Sequence, residues 1–216
     1  MHMRGKFIVI EGMDHSGKGV QLDLLTKKLA GRNILFTREP GGTPLAEEFR
    51  LILMRKDGNA RNALSDFFLF WAARGSHVED SIEPHRQSIG HVISDRYDSS
   101  TMAYQIYGEE RPELKDVFWA IREVLPSIYW PDAYIIFDLP AEVAHKRGTI
   151  AKAKEQTSFD AKPLEFHERV RKGYQAFARE IRKRNPKTVV EVVDADRSIQ
   201  EVHNDVLAVV EKIFKL

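Results

Sequence analysis

The stretch FIVIEGMDHSGKGVQ, residues 7–21, decides how the chain is read. It opens on a short, β-branched apolar run that stops at Gly12, as a buried strand does. Four residues separate Gly12 from Gly17-Lys18, and apolar residues then recur at helical spacing through Val20, Leu22, Leu24, Leu25 and Leu29 until Gly31. A strand, a glycine-bounded loop and a helix start in that order make a cradle for phosphate oxygens. Backbone N–H groups of Gly12, Met13, Asp14, His15, Ser16, Gly17, Lys18 and Gly19 wrap the anion, and the helix dipole adds to the site. Lys18 supplies a mobile point charge for the β- and γ-phosphates. The competing reading, a glycine-rich turn with an incidental lysine, does not explain the strand and helix that flank it. One part is missing. A hydroxyl just after the lysine usually ligates magnesium, and Gly19 and Val20 cannot. Mg²⁺ retains several waters, so Asp14 and Asp95 are the acids that could hold it through water.

Outward from the loop, strands are expected at Ile34–Thr37, His91–Ser94, the centre of WPDAYIIFDLP (130–140) and Thr188–Val193. Helices are expected over Leu45–Met54, Leu64–Ile82, from Ser99, over Leu114–Leu125, Ala141–Arg147, Leu164–Lys183 and Ile199–Phe214. Strands alternating with helices predict an α/β fold: a five-stranded parallel sheet covered on both faces, with ligands at the edge formed by the loops after the strands. No linker or repeat divides the 216 residues, so one domain over 1–216 is expected. The segment of about 148–162 lacks a core face and is the candidate lid.

Lys+Arg 33 against Asp+Glu 32 is balanced and gives no reason to expect nucleic acid or an anionic membrane as partner. No apolar run approaches the roughly 18 residues that cross a bilayer. The absence of cysteine excludes disulfides and thiolate metal sites and fits a cytoplasmic location.

Three further stretches carry a resemblance: FTREPGGTPLAE (36–47), FLFWAAR (68–74) and ISDRYDSSTMAYQ (93–105), with LEFHERVRKGY (164–174) after the lid. In order and spacing they are similar to thymidylate kinase, a P-loop NTPase-fold family of nucleoside monophosphate kinases. The resemblance implies transfer of the ATP γ-phosphoryl to dTMP, giving dTDP, with Mg²⁺ as cofactor and a homodimer as the assembly. Arg38 and Arg96 each follow an expected strand and suit planar phosphate recognition. Their competing role is a structural salt bridge. Asp95 orients Arg96 or holds metal-bound water. Phe70 and Arg74 share a helix face, and the resemblance matches Phe70 to the base-stacking position and Arg74 to the base-binding arginine. By burial preference alone Phe70 would be core, as Phe67, Phe68 and Trp71 are expected to be core or subunit contact. Ser100, Thr101 and Gln105 border the base and phosphate by the same resemblance. Tyr104 closes against the sugar where a 2′-OH would sit, and Asp14 meets the 3′-OH and the metal region. Pro40, after Glu39, leaves both peptide isomers open.

The chain departs from the family pattern where a catalytic arginine is usual. The loop has His15, and the lid RGTIAKAKEQTSFDAKP (147–163) offers Arg147, Lys152 and Lys154 as its cations. Arginine fingers contribute about 10³ to 10⁵ in rate, so Arg147 or a lid lysine is expected to supply that charge. Two alternatives stand beside the active kinase: a catalytically weakened nucleotide-binding protein of the same family, and a kinase shifted to another pyrimidine acceptor such as dUMP. The helix carrying DFFLFWAAR (66–74) is apolar on more than one face, which also points to a homodimer.

Overall fold

In the computed structural model the described residues are 4–55, 62–150 and 162–216. Five strands form one parallel sheet: β1 (Phe7–Gly12), β2 (Ile34–Arg38), β3 (His91–Asp95), β4 (Ala133–Asp138) and β5 (Val189–Asp194), in the order β2-β3-β1-β4-β5. β1 is buried along its whole length because it pairs on both sides, Ile10 opposite Asp95 of β3 and Ile135 of β4. That is the position for which an unbroken apolar run is selected. The strand order reverses at β1, with β3 to one side and β4 to the other, so a crevice opens beyond Gly12.

The helices are α1 (Lys18–Lys28), α2 (Pro44–Leu53), α3 (Ala63–His77), α4 (Glu83–Gln87), α5 (Asp98–Thr101), α6 (Leu114–Val124), α7 (Ala141–Ile150), α8 (Leu164–Arg184) and α9 (Ile199–Phe214). Thr43, Asn62 and Ser198 cap α2, α3 and α9 through their side-chain oxygens, each removing an orphan N–H. Within a residue or two the expected elements are present, with three corrections.

The helix expected over Leu64–Ile82 is not a uniform α-helix. It becomes π-helical over Val78–Ile82 and continues as α4. The Glu83 N–H reaches back five residues to Val78 O, and Pro84 has no N–H to give Asp80. The helix from Ser99 begins at Asp98 and widens to a π-helix over Met102–Gly108, where Glu109 N bonds Tyr104 O at 2.9 Å. The helix expected over Ala141–Arg147 also runs on through Gly148 to Ile150. Lys152 and Lys154 lie outside the described residues.

The π segment at 102–108 is seated on α8 by Gly173. A Cβ there would stand 2.6 Å from Ala103 Cα. α8 therefore fixes the height at which Tyr104 and Gln105 stand over the crevice.

Candidate active site

Gly12, with φ 143°, ends β1 in a conformation that suits glycine. A Cβ would also come within 2.8 Å of Phe137 O on β4. Gly17, at φ 94°, turns the loop into α1. The Lys18 side chain folds back across the loop and donates to Gly12 O at 2.8 Å and Met13 O at 2.9 Å. Burial, followed by the neighbouring Arg96 charge, pulls its ammonium down to about 8, against the pull of Asp95, Asp14 and Glu11.

Arg96 follows β3 with φ 72°, left-handed for a non-glycine residue. Its N–H bonds Ile10 O at 2.9 Å and its carbonyl accepts from Ser94 Oγ at 2.9 Å, which hold the strained turn. Its guanidinium donates to Gly12 O (3.2 Å), Ser100 Oγ (3.2 Å) and Tyr174 OH (3.0 Å), and pairs with Asp14. Tyr104 OH donates to the other Asp14 oxygen at 2.8 Å. Burial alone would raise the Asp14 carboxyl, but Arg96, then Lys18, hold it below the usual carboxylate range.

Two pockets open beside the phosphate loop. The first, of about 90 Å³, is lined by Asp14, Arg96, Ser100, Tyr104 and Gln105, with Phe70, Arg50, Glu39 and Pro40 opposite. Phe70 is half-buried at its wall, whereas Phe67 is wholly core. The second, of about 270 Å³, lies past Ser16 and Gly17, between Val20, Phe137, Arg147 and Ile199. Ser16 Oγ is buried there without a hydrogen bond among the described residues.

The structure places Arg74 and Arg38 differently from Arg96. Arg74 is buried in an ion pair with Glu39 (2.8 Å) and donates to Thr101 Oγ1 at 3.2 Å. Only its Nη1 is left without a hydrogen-bond partner among the described residues. Arg38 grips Glu47 with two 3.0 Å bonds, half exposed and outside the lining of the first pocket. Its alternative reading, a salt bridge, describes this geometry. Arg50 takes the place in the pocket wall, donating to Pro40 O at 2.9 Å. Burial, followed by the charge of Arg38, lowers the Arg50 pKa. The Glu39–Pro40 peptide is cis.

Sequence reasoning missed Arg50, Glu39, Glu11 and Tyr174. Glu11 had a signal, a carboxylate inside an otherwise apolar strand. It accepts from Tyr97 N (2.8 Å), Ser100 N (3.2 Å), Ser100 Oγ (2.7 Å) and Tyr174 OH (3.1 Å). Burial raises its pKa. It thus pins the start of α5 and two of the hydroxyls that hold Arg96.

Against this geometry the comparisons with known proteins agree. A family model described as thymidylate kinase matches residues 10–206. The chain is 36% identical over 207 residues to the thymidylate kinase of Halothermothrix orenii, covering 94% of this chain and 95% of that one. It is 37% identical to that of Cupriavidus metallidurans, covering 93% and 94%. A solved thymidylate kinase structure from Ehrlichia chaffeensis superposes with a TM-score of 0.73 at 30% identity, covering 96% of this chain and 99% of its own.

The chain belongs to the thymidylate kinase family.

Set in a thymidylate kinase, the unusual loop residues have defined surroundings. His15 is exposed at φ 60°, and its ring lies against Gly148 of α7, where a Cβ would come within 2.6 Å of it. Gly19 faces open space, with no atom within 4 Å of where a Cβ would stand. Arg147 donates to Ala195 O (3.1 Å) and Asp196 Oδ1 (3.3 Å) at the rim of the second pocket. It stands at the second pocket rather than beside Arg96.

For magnesium, Asp95 fits: its Oδ1 is buried and has no hydrogen-bond partner among the described residues. Asp14 has both oxygens engaged, by Arg96 and Tyr104. No cluster of three or more potential metal-ligating side chains exists among the described residues. An ion here would therefore rest on water and substrate oxygens with Asp95. Among the described residues no helix is long and apolar enough to cross a membrane.

Proposed function

We propose that the chain is an ATP-dependent dTMP kinase that transfers the γ-phosphoryl of ATP to dTMP, giving ADP and dTDP. The observation that carries this reading is the meeting of Lys18 and Arg96 on one carbonyl, Gly12 O, in the loop whose residues line both pockets. A donor phosphate chain on the loop and an acceptor phosphate beside Arg96 then face each other across two cations. Little covalent chemistry is asked of the protein; alignment and neutralised charge supply the acceleration. An acceptor phosphate oxygen forms the new bond to γ-phosphorus as the bond from γ-phosphorus to the β–γ bridging oxygen breaks, leaving on ADP.

Lys18 holds the donor phosphates, displaced from Gly12 and Met13 carbonyls that hold it in their absence. Arg96 and Arg50 hold the acceptor phosphate. Phe70 stacks on the base, with Arg74 Nη1, Thr101 and Gln105 at its polar edge, and Ser100 beside the phosphate. Tyr104 and Asp14 border the sugar. Arg147 lies with the donor nucleotide. Asp95 would hold Mg²⁺ through water, and the ion would supply charge neutralisation on the phosphates.

We place the enzyme in the cytoplasm, where ATP is its donor. We also infer a homodimer, because Leu45, Leu51, Leu64 and Phe68 stay exposed on α2 and α3, Leu51 at 70% and Phe68 at 50%. The reading is tested by ADP release across dTMP, dUMP, dCMP, UMP and AMP. dTMP is expected to give the highest kcat/KM. No turnover with any acceptor, despite measurable ATP binding, would overturn it.

A further inference from the structure

The parallel sheet has a second end. Lys6 precedes β1, Asp132 precedes β4 and Thr188 precedes β5, so the three stand together at the amino edge, away from both pockets of the active site. A cleft of about 550 Å³ opens there, larger than either of those pockets. Five cations line it: Arg4, Lys6, Arg86, Arg184 and Lys187.

Asp132 is the one carboxylate of the lining, and it is fully used. Its Oδ1 takes Lys6 Nζ at 2.8 Å, and its Oδ2 takes Phe7 N at 2.9 Å and Arg86 Nη2 at 3.1 Å. Glu83 pairs with Arg4 and Glu123 with Arg184 from outside the lining, so the cations still outnumber the carboxylates by two. Burial, and then the charge of Arg4, depress the Arg86 pKa against the pull of Asp132 and Glu83. Arg4 Nε is buried without a hydrogen bond, and Lys187 is exposed with no ion pair among the described residues. The half-buried Trp130 adds an aromatic wall, with Arg122 stacked 3.9 Å from its ring centre.

We propose that this cleft is a second anion site, built for a phosphate-bearing ligand and separate from the active site. An excess of fixed cations around a concave wall is what such a ligand requires, and flexible Lys6 and Lys187 can turn toward its oxygens. The phosphate can arrive free as polyphosphate or on a nucleotide whose base meets Trp130.

The test is a titration with tripolyphosphate, and separately with ATP, in magnesium-free buffer without acceptor. The readout is the indole N–H resonance of Trp130, assigned by Trp130→Phe. A saturable shift of that resonance is expected, weakening with added salt. A Lys187→Glu, Arg184→Glu double variant, both positions being exposed, is expected to bind about tenfold more weakly or worse. If ATP saturates the Trp130 shift at clearly lower concentration than tripolyphosphate, the site serves nucleotides; equal affinities assign it to the phosphates alone. An unmoved Trp130 resonance at millimolar ligand, or unchanged affinity in the double variant, would overturn the proposal.

Discussion

Arg38 and Arg50 set the acceptor pocket reading against the sequence pattern most sharply. Both are arginines near the EPGG turn, yet Glu47 holds Arg38 outside the pocket while Arg50 lines it. Charge-assisted hydrogen bonds contribute about 1.5–3 kcal/mol. Arg50→Ala is therefore expected to raise the KM for dTMP by about ten- to a hundredfold, and Arg38→Ala by less than about threefold. Steady-state kinetics in dTMP separates the two; equal effects would return Arg38 to the phosphate. Lys18 makes a second prediction. With its pKa lowered to about 8, the free enzyme holds a charged lysine below that pH and loses it above. A phosphate chain favours the charged form, so ATP affinity is expected to be flat below about pH 8 and to fall as pH rises through it. Equilibrium binding of ATP from pH 6.5 to 9.5 checks this, and a flat profile would contradict it. At this scale the sequence was legible where backbone spacing decides the role. Lys18 and Arg96 were readable because each directly follows a strand or a glycine loop. Arg50 was not, because its place depends on a partner, Glu47, that removes its rival.

Among the elements, the π-helical stretch Met102–Gly108 matters most. Apolar and polar positions there are compatible with an ordinary helix, so periodicity gave no sign of the widening. The cause is tertiary: α8 approaches so closely that Gly173 meets the backbone of Ala103. Gly173→Ala would gain roughly 1 kcal/mol of helix propensity. Overpacking at 2.6 Å against a backbone atom costs about 1–3 kcal/mol and wins. The variant is expected to melt earlier and to show a raised KM for dTMP, because Tyr104 and Gln105 ride on the displaced segment. Thermal denaturation beside dTMP kinetics tests it; a variant stabilised with unchanged KM would contradict it. The strands were legible for the opposite reason. β1, β3 and β4 carry short apolar runs whose burial follows from pairing on both sides, whatever else packs nearby.

For the whole molecule, the five-stranded parallel sheet with its ligand edge after the strands followed from the alternation of strands and helices. The amino-edge cleft did not, since its cations come from three separated segments that only the fold assembles. The exposed apolar residues of α2 and α3 predict association: sedimentation at micromolar concentration is expected to give a dimer, and Leu51→Glu with Phe68→Glu to shift it toward monomer. A monomer at that concentration would contradict the assembly. The central claim is phosphoryl transfer from a donor on the phosphate loop to an acceptor beside Arg96. Its most direct test is ³¹P NMR of ATP and dTMP incubated with the protein and Mg²⁺. Equal amounts of ADP and dTDP are expected to appear, with the signal lost in Lys18→Ala. ATP and dTMP left intact by a folded protein that binds both would contradict the account.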